Sequence, residues 1–157
     1  MEEIVRVRSS SVKGDEPSNV LFDTWLTARA AIALLDGALA GSGLDAEDFA
    51  IYSVLRGAGE VSPGELARWM SAPATTVSSY VKRLIARGHV QQTPHPEDGR
   101  SYRVALTAAG QDAHAAAARH FLPALAAVEA ALARPADEVQ ETLRALRAAI
   151  REAGREA

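Results

Sequence analysis

The chain has no cysteine and few aromatic residues, and both features narrow what it can be. None of its 157 residues is cysteine, which excludes disulfides, cysteine-ligated zinc, iron–sulfur clusters and thiol-based sensing of oxidants. Aromatic residues make up 5% of a chain that is 48% hydrophobic, so alanine, leucine and valine must supply most of the core. No apolar run approaches the roughly 18–20 residues of a membrane span, and the N-terminus lacks the apolar segment of a signal peptide. We therefore expect a single-domain cytoplasmic protein.

Patterns for catalysis or metal binding are also missing. The sequence has no Gly-rich phosphate loop, no nucleophile elbow and no pair of carboxylates on a shared helix face. His114 and His120 are six residues apart and do not share a helix face, while His89 and His95 lie in a predicted hairpin. We expect no enzyme activity, no metal site and no cofactor.

The charge is unevenly distributed along the chain. The formal net charge is −3, but residues 62–106 contain six Lys or Arg against three acids, giving +3 there and −6 elsewhere. An acidic body with a basic lobe is typical of a protein that orients itself on DNA.

Amphipathic helices are predicted at both ends of the chain. After an arm over residues 1–19, a helix over 20–40 repeats apolar residues at alternating spacings of four and three, as a helix packed along another helix does: Leu21, Trp25, Ala28, Ile32, Leu35 and Leu39. A last helix after Pro135 repeats the pattern with Val139, Leu143, Leu146 and Ile150. Before it, Thr107 is predicted to cap a helix that Pro123 should bend or restart. The terminal helices together indicate a dimer interface.

A compact lobe is predicted between these helices. Asp45 is expected to cap a helix reaching about Arg56, with Asp48 in a capping-box-like position and Phe49, Tyr52 and Leu55 facing inward. The segment Ser62-Pro-Gly-Glu65 is a capping box with proline at the first helical position, and it predicts a short helix that ends near Ser71.

The lobe continues with a second helix and a hairpin. Pro73 is predicted to open a helix that runs to Gly88. Strands are predicted over 90–93 and 102–106, with a turn over 94–99 between them. Two short helices followed by a hairpin form a helix-turn-helix with a wing, which places one helix in a DNA major groove.

The second of these helices divides into two faces at 100° per residue. Val77, Val81, Leu84 and Ile85 form a predicted core face, and the opposite face and its flanks carry hydroxyls and then cations. Small hydroxyls approach base edges closely, and the cations reach phosphates or a guanine edge. The predicted DNA contacts on this helix are Thr75, Thr76, Ser78, Ser79, Lys82 and Arg83.

The wing supplies further predicted contacts. Arg100 follows Asp98-Gly99 at the tip, where a cation enters a narrow minor groove, and Asp98 is placed to orient a guanidinium. Arg103, further along the second strand, is a predicted additional contact. The alternative interpretation is that Asp-Gly only forms a turn, and that Arg100 is a solvent-exposed residue at the start of the second strand.

Four aromatic residues are candidates for a ligand pocket: Trp25, Phe49, Tyr52 and Trp69. For the two tryptophans, packing in the core or in an interface is the favoured alternative, because aromatic residues at helical spacing usually pack.

The sequence resembles the MarR family (multiple antibiotic resistance regulators). The resemblance lies in Thr76-Val-Ser78, the Lys82-Arg-Leu to Arg-Gly88 ending, Asp98-x-Arg100 and Leu106-Thr-x-x-Gly110. It implies an obligate homodimer that reads a pseudo-palindromic operator and represses until a small phenolic or anionic ligand binds. The chain departs from the family pattern at Gly99, where an arginine is usual, and at Gln91 and Gln92, where cations are common.

The predicted fold is therefore mainly α with a small β-hairpin wing. A single domain is predicted over residues 20–157. Within it, the winged helix-turn-helix lobe spans 45–110, and the two dimerisation segments span 20–40 and 111–153. The predicted function is a sequence-specific double-stranded DNA-binding regulator, a ligand-responsive repressor acting as a homodimer. The alternative is a winged-helix module that docks protein or RNA. The negative net charge and the absence of the usual wing cations at Gln91, Gln92 and Gly99 favour this alternative.

Overall fold

The computed structural model describes residues 18–94 and 102–156. Within these ranges the chain forms six helices and one antiparallel hairpin, which confirms the predicted fold class. In chain order the elements are α1 (Val20–Leu39), α2 (Ala46–Ala58), α3 (Pro63–Met70), α4 (Ala74–Ala86), β1 (Val90–Pro94), β2 (Tyr102–Leu106), α5 (Ala108–Ala131) and α6 (Ala136–Glu156).

Local capping signals set where the helices begin. The Asn19 side chain accepts hydrogen bonds from the first backbone N–H groups of α1, and the Thr107 hydroxyl accepts one from Gly110 N at 3.1 Å. The predicted capping box of α3 is complete, since the Ser62 hydroxyl accepts from Glu65 N while the Glu65 carboxylate accepts from Ser62 N at 2.7 Å. These contacts satisfy N–H groups that have no partner within their own helix.

The core lies within the winged lobe and joins all of its elements. Its most buried members come from the end of α1, from α2, the segment before α3, α3, α4, the hairpin and α5: Leu39, Ile51, Tyr52, Leu55, Val61, Leu66, Val77, Val81, Leu84, Val90, Val104 and Ala117. Phe49, Tyr52 and Leu55 face inward as predicted. The buried face of α4 is therefore fixed against the rest of the lobe, and its other face is left to solvent.

The hairpin forms in the predicted place, with its register set by its buried residues. Val90 pairs with Leu106 and Gln92 with Val104, and Val61 adds a backbone bridge to Val104. The wing tip is not part of the described chain, so the predicted roles of Asp98 and Arg100 fall outside the described residues.

Of the two effects predicted for Pro123, a bend or a restart of the helix, the restart is wrong. Pro123 does not restart the helix, because α5 continues through it as a single helix from Ala108 to Ala131. Proline removes one intrahelical hydrogen bond, and the Ala-rich sequence around it has enough helix propensity to continue.

The terminal helices carry much of the exposed apolar surface. Leu21, Trp25 and Ile32 of α1 are each more than half exposed, as is Leu143 of α6. No single helix in the described ranges is long and apolar enough to cross a bilayer. The helices α5 and α6 meet that test only together, across a break at which the chain bends by 97°.

Candidate nucleic-acid interface

The turn between α3 and α4 sets the direction of the candidate groove-reading helix. Ser71 ends α3 in the left-handed conformation (φ 50°, ψ 39°), and Pro73 then precedes α4 without giving it a side-chain cap. A guanidinium from the far end of the chain is bound to this turn. Arg151 of α6 donates to the Ser71 hydroxyl at 3.0 Å and to the carbonyl of Arg68. This contact, which connects α6 to the helix-turn-helix, was not predicted because Arg151 and Ser71 are 80 residues apart in the sequence.

The buried face of α4 is narrower than predicted. Val77, Val81 and Leu84 are almost completely buried, but Ile85 is 37% exposed and does not belong to the core face. At 3.6 residues per turn, Ile85 lies about 80° around the helix from Val77, at the edge of the contact with the lobe.

The outer face of α4 presents the predicted polar side chains. Thr75, Ser79, Lys82 and Arg83 are exposed, while Thr76 and Ser78 are half-buried on the flanks. The Ser79 hydroxyl donates its proton to the Thr75 carbonyl at 3.2 Å, and Ser78 donates to Ala74 at 3.0 Å. Each hydroxyl oxygen therefore keeps lone pairs that can accept from the amino group of a cytosine or an adenine.

A buried carboxylate lies behind the C-terminal half of α4. Asp48 of α2 is 1% exposed, and its two oxygens accept hydrogen bonds from different arginines, Arg83 and Arg87. The backbone N–H of Asp48 donates to the Asp45 side chain at 2.7 Å, as the predicted cap requires. The Asp48 side chain does not return to that cap, so the capping-box-like arrangement is only half formed.

Arg83 is held on several sides. Besides Asp48, it has the Glu47 carboxylate at 3.9 Å and lies over the ring of Tyr80, 5.4 Å from the ring centroid. Tyr80 in turn donates to Glu47, and this hydrogen bond raises the pKa of the Tyr80 hydroxyl. The arginine that we predicted to contact DNA is thus also an ion-pair partner, with 40% of its side chain exposed.

His89, whose place in the hairpin the sequence left unexplained, links α2 to the start of β1. Its Nδ1 lies 2.8 Å from the Tyr52 hydroxyl, and its ring meets the Tyr52 ring edge-on. Burial is the main cause that raises the pKa of Tyr52, and the Asp48 charge adds to it. The His89 carbonyl accepts from Thr107 N at 3.0 Å, which fixes the entry to α5.

Arg103 lies at the base of the wing, where it is 3.5 Å from the Glu65 carboxylate and 27% exposed. Its Nε is buried and has no hydrogen-bond partner among the described residues. Hydrogen bonds from Ser62 are the main cause that holds the pKa of Glu65 below its usual value, with a smaller contribution from Arg103.

The four aromatic candidates for a pocket are not brought together within the described chain. Phe49 and Tyr52 are core residues, whereas Trp25 and Trp69 are exposed on α1 and α3. Trp25 stacks on Phe22 and lies beneath the Arg29 guanidinium. An open cleft of about 350 Å³ lies elsewhere, between the end of α2, β2 and the start of α5, and Arg56 and Gln111 are among its lining residues.

His114 of α5 packs against α2. Its ring stacks on Phe49 with 5.0 Å between centroids, and its Nε2 lies 3.0 Å from the Ser53 hydroxyl. Burial, with a smaller effect from Arg56, lowers the pKa of His114. No group of three or more His, Cys, Asp or Glu that could hold a metal ion occurs in the described ranges.

The lowered pKa of His114 predicts a loss of stability in acid. The unfolded chain binds the proton more readily than the folded one, so stability should fall as the pH drops below about 6.5, the ordinary pKa of histidine. His114→Phe keeps a ring against Phe49 and should flatten this part of the profile in urea unfolding at pH 5–8. The same change at exposed His120 is the control, and an unchanged slope in His114→Phe would contradict the assignment.

The arrangement defines a class of protein. A helix-turn-helix followed by a hairpin, with the outer face of its second helix polar and exposed, is the architecture of a winged-helix lobe. Residues 42–101 match the sequence model of the MarR family. This part of the chain, which spans the helix-turn-helix and the first strand of the hairpin, is therefore similar to the MarR family.

Solved structures extend the similarity to most of the chain. The PcaV transcriptional regulator from Streptomyces coelicolor, solved with its natural ligand, has a TM-score of 0.72 at 19% identity, covering 91% of this chain and 99% of its own. The M. tuberculosis transcriptional regulator MOSR, solved with DNA, has a TM-score of 0.71 at 24% identity, covering 84% and 96%. Wild-type MarR from E. coli has a TM-score of 0.66 at 22% identity, covering 86% and 98%. No curated protein sequence matches the chain.

Proposed function

We propose that the chain is a cytoplasmic, ligand-responsive transcriptional repressor that binds a pseudo-palindromic DNA operator as a homodimer. The observation that carries this proposal is the outer face of α4, where exposed hydroxyls and a lysine lie opposite a fully buried apolar face. A helix fixed so firmly on one side presents its other side in a constant geometry, as readout of base edges requires.

The proposed contacts differ in how they are held. Thr75, Thr76, Ser78, Ser79 and Lys82 approach the major groove from α4, and Arg100, oriented by Asp98, enters the minor groove. Arg83 and Arg103 are ion-paired with carboxylates. These two arginines contact DNA only through the N–H groups that their partners leave free.

Dimerisation is supported by the apolar surface of the terminal helices. Large hydrophobic side chains on α1 and α6 are exposed in the single chain, which is unusual for a surface that never meets a partner. Two lobes related by a twofold axis would read half-sites about one helical turn apart.

An effector of small phenolic or anionic type completes the proposal. PcaV was solved with its natural ligand, and the similarity to its structure covers 91% of this chain. In this chain, Arg56 at the cleft between α2, β2 and α5 is the cation that would attract an anionic group.

The direct test is binding of the purified protein to duplex fragments from the promoter beside its own gene, compared with scrambled DNA, at two salt concentrations. Tight, sequence-dependent binding that weakens with salt supports the proposal. Equal, weak binding to both DNAs would overturn it and favour a protein- or RNA-docking module instead.

Ser79→Ala is expected to relax base preference at one operator position. The free-energy cost of a wrong base there should fall by about 0.5–1.5 kcal/mol, the net contribution of one hydrogen bond. The reason is that the exposed Ser79 oxygen accepts from an amino group of a base, whereas a phosphate contact would require the hydroxyl to donate. Competition assays with operators altered at single positions measure the change, and Ser53→Ala on α2 is the control. A uniform loss across all sequences would make Ser79 a phosphate contact.

A further inference from the structure

The winged lobe contains one charged side chain that is almost completely buried, Asp48, among the residues described. One of its oxygens accepts from Arg83 and the other from Arg87, and these arginines lie one helical turn apart, in the last turn of α4 and at its C-cap. Hydrogen bonding to Asp48 is the main cause that raises the pKa of Arg87. The carboxylate therefore joins α2 to the C-terminal half of the groove-reading helix.

Breaking these ion pairs is costly because it leaves the buried Asp48 carboxylate without its partners. A buried carboxylate without a partner is costly, because the low-dielectric interior replaces none of its lost hydration. The arginine side chains are each about two-fifths exposed, 40% for Arg83 and 41% for Arg87, so they keep some N–H groups toward solvent. An arginine that left Asp48 for a phosphate would leave a buried charge less compensated.

The consequence concerns binding to DNA of any sequence. Such binding comes mainly from cations that displace counterions from phosphates. Each contact steepens the fall of log K with the logarithm of the salt concentration by about 0.9. Lys82 is exposed and has no ion pair among the described residues, whereas Arg83 and Arg87 are both held. Of these three cations, only Lys82 can bind phosphates without breaking an ion pair.

We propose that Asp48 is a specificity-determining residue, which withholds Arg83 and Arg87 from indiscriminate phosphate contact. The proposal rests on the proposed DNA-binding function. With the two arginines held in one geometry, the hydroxyl-bearing half of α4 contributes a larger share of the binding free energy, and that share depends on sequence.

Asp48→Asn is the primary test, because asparagine has the same shape but lacks the charge that holds both arginines. Affinity for scrambled duplex should rise about fivefold per released arginine at 0.15 M salt, and the salt slope should steepen by about one for each. The ratio of operator to scrambled affinity should fall accordingly. Fluorescence anisotropy with both duplexes across a salt series measures all three quantities.

Glu47→Gln is the matched control. It removes the same charge from the neighbouring position, but Glu47 is 46% exposed and its oxygen is 3.9 Å from Arg83, so it releases neither arginine. Its effect on the salt slope should be much smaller. The proposal is overturned if both variants behave alike, or if Asp48→Asn weakens operator and scrambled binding in parallel. If the wild-type protein itself shows no sequence preference, the proposed function fails and this inference fails with it.

A second comparison keeps Asp48 in place and covers the case in which Asp48→Asn does not fold. Arg87→Gln should leave the salt slope on scrambled DNA unchanged, because Arg87 is withheld. Lys82→Gln should lower the slope by about one. Equal losses in the two variants would overturn the proposal.

Discussion

Gly110→Ala is expected to lower the free energy of unfolding by about 3 kcal/mol, because the new methyl group has no space. A Cβ built at Gly110 would lie 2.1 Å from the carbonyl oxygen of His89 and 3.1 Å from Leu106. That carbonyl is not free to move, since it accepts from Thr107 N at 3.0 Å. The close approach of α5 to the start of the hairpin thus explains the glycine in the Leu106-Thr-x-x-Gly110 motif.

Urea unfolding at a fixed protein concentration measures this effect, since a dimer's stability depends on concentration. Gly57→Ala is the control, because Gly57 lies inside α2 with nothing within 4 Å of its Cβ position. There alanine should raise stability by about 0.5–1 kcal/mol through helix propensity. Equal stability of the Gly110→Ala and wild-type proteins would show that α5 and the hairpin separate without cost.

Leu143→Asp is expected to dissociate the proposed dimer and to lower operator affinity by about 100-fold or more through loss of bivalent binding. Leu143 is 51% exposed in the single chain, and Ile150 on the same face of α6 is 38% exposed. An aspartate placed in an interface built from this face would be buried without a partner. The winged lobe has its own core, so we expect the variant to stay folded.

Analytical ultracentrifugation and operator titration test this prediction together. Ala148→Asp is the control, because it adds the same charge on the opposite side of α6, at an exposed position. A dimeric Leu143→Asp protein with normal operator affinity would place the interface elsewhere on the chain.

The sequence predicted the elements of this fold because their signals are local. Ser62 and Glu65 form the capping box three residues apart, and Thr107 caps α5 within one turn. The strand predicted over 102–106 forms there, with Val104 and Leu106 buried on one face. The predicted restart at Pro123 is wrong for a related reason, since the helix propensity of the surrounding alanine residues outweighs the preference of one proline.

The candidate interface was predicted only in part. The polar face of α4 follows from the 3.6-residue period, and its hydroxyls and Lys82 are exposed as the sequence indicated. The helical period does not predict which residue each side chain contacts. Asp48 looked like part of a helix cap, yet its carboxylate binds Arg83 and Arg87, 35 and 39 residues away.

By itself the sequence determined the order of the elements, the caps, the faces of the helices and the resemblance to a regulator family. Only the tertiary structure decided which cations are held and which are free, why position 110 must be glycine, and how Arg151 reaches the turn after α3. The physical reason is distance along the chain. Propensity and periodicity act over a few residues, whereas ion pairs and close backbone contacts form between segments that folding alone brings together.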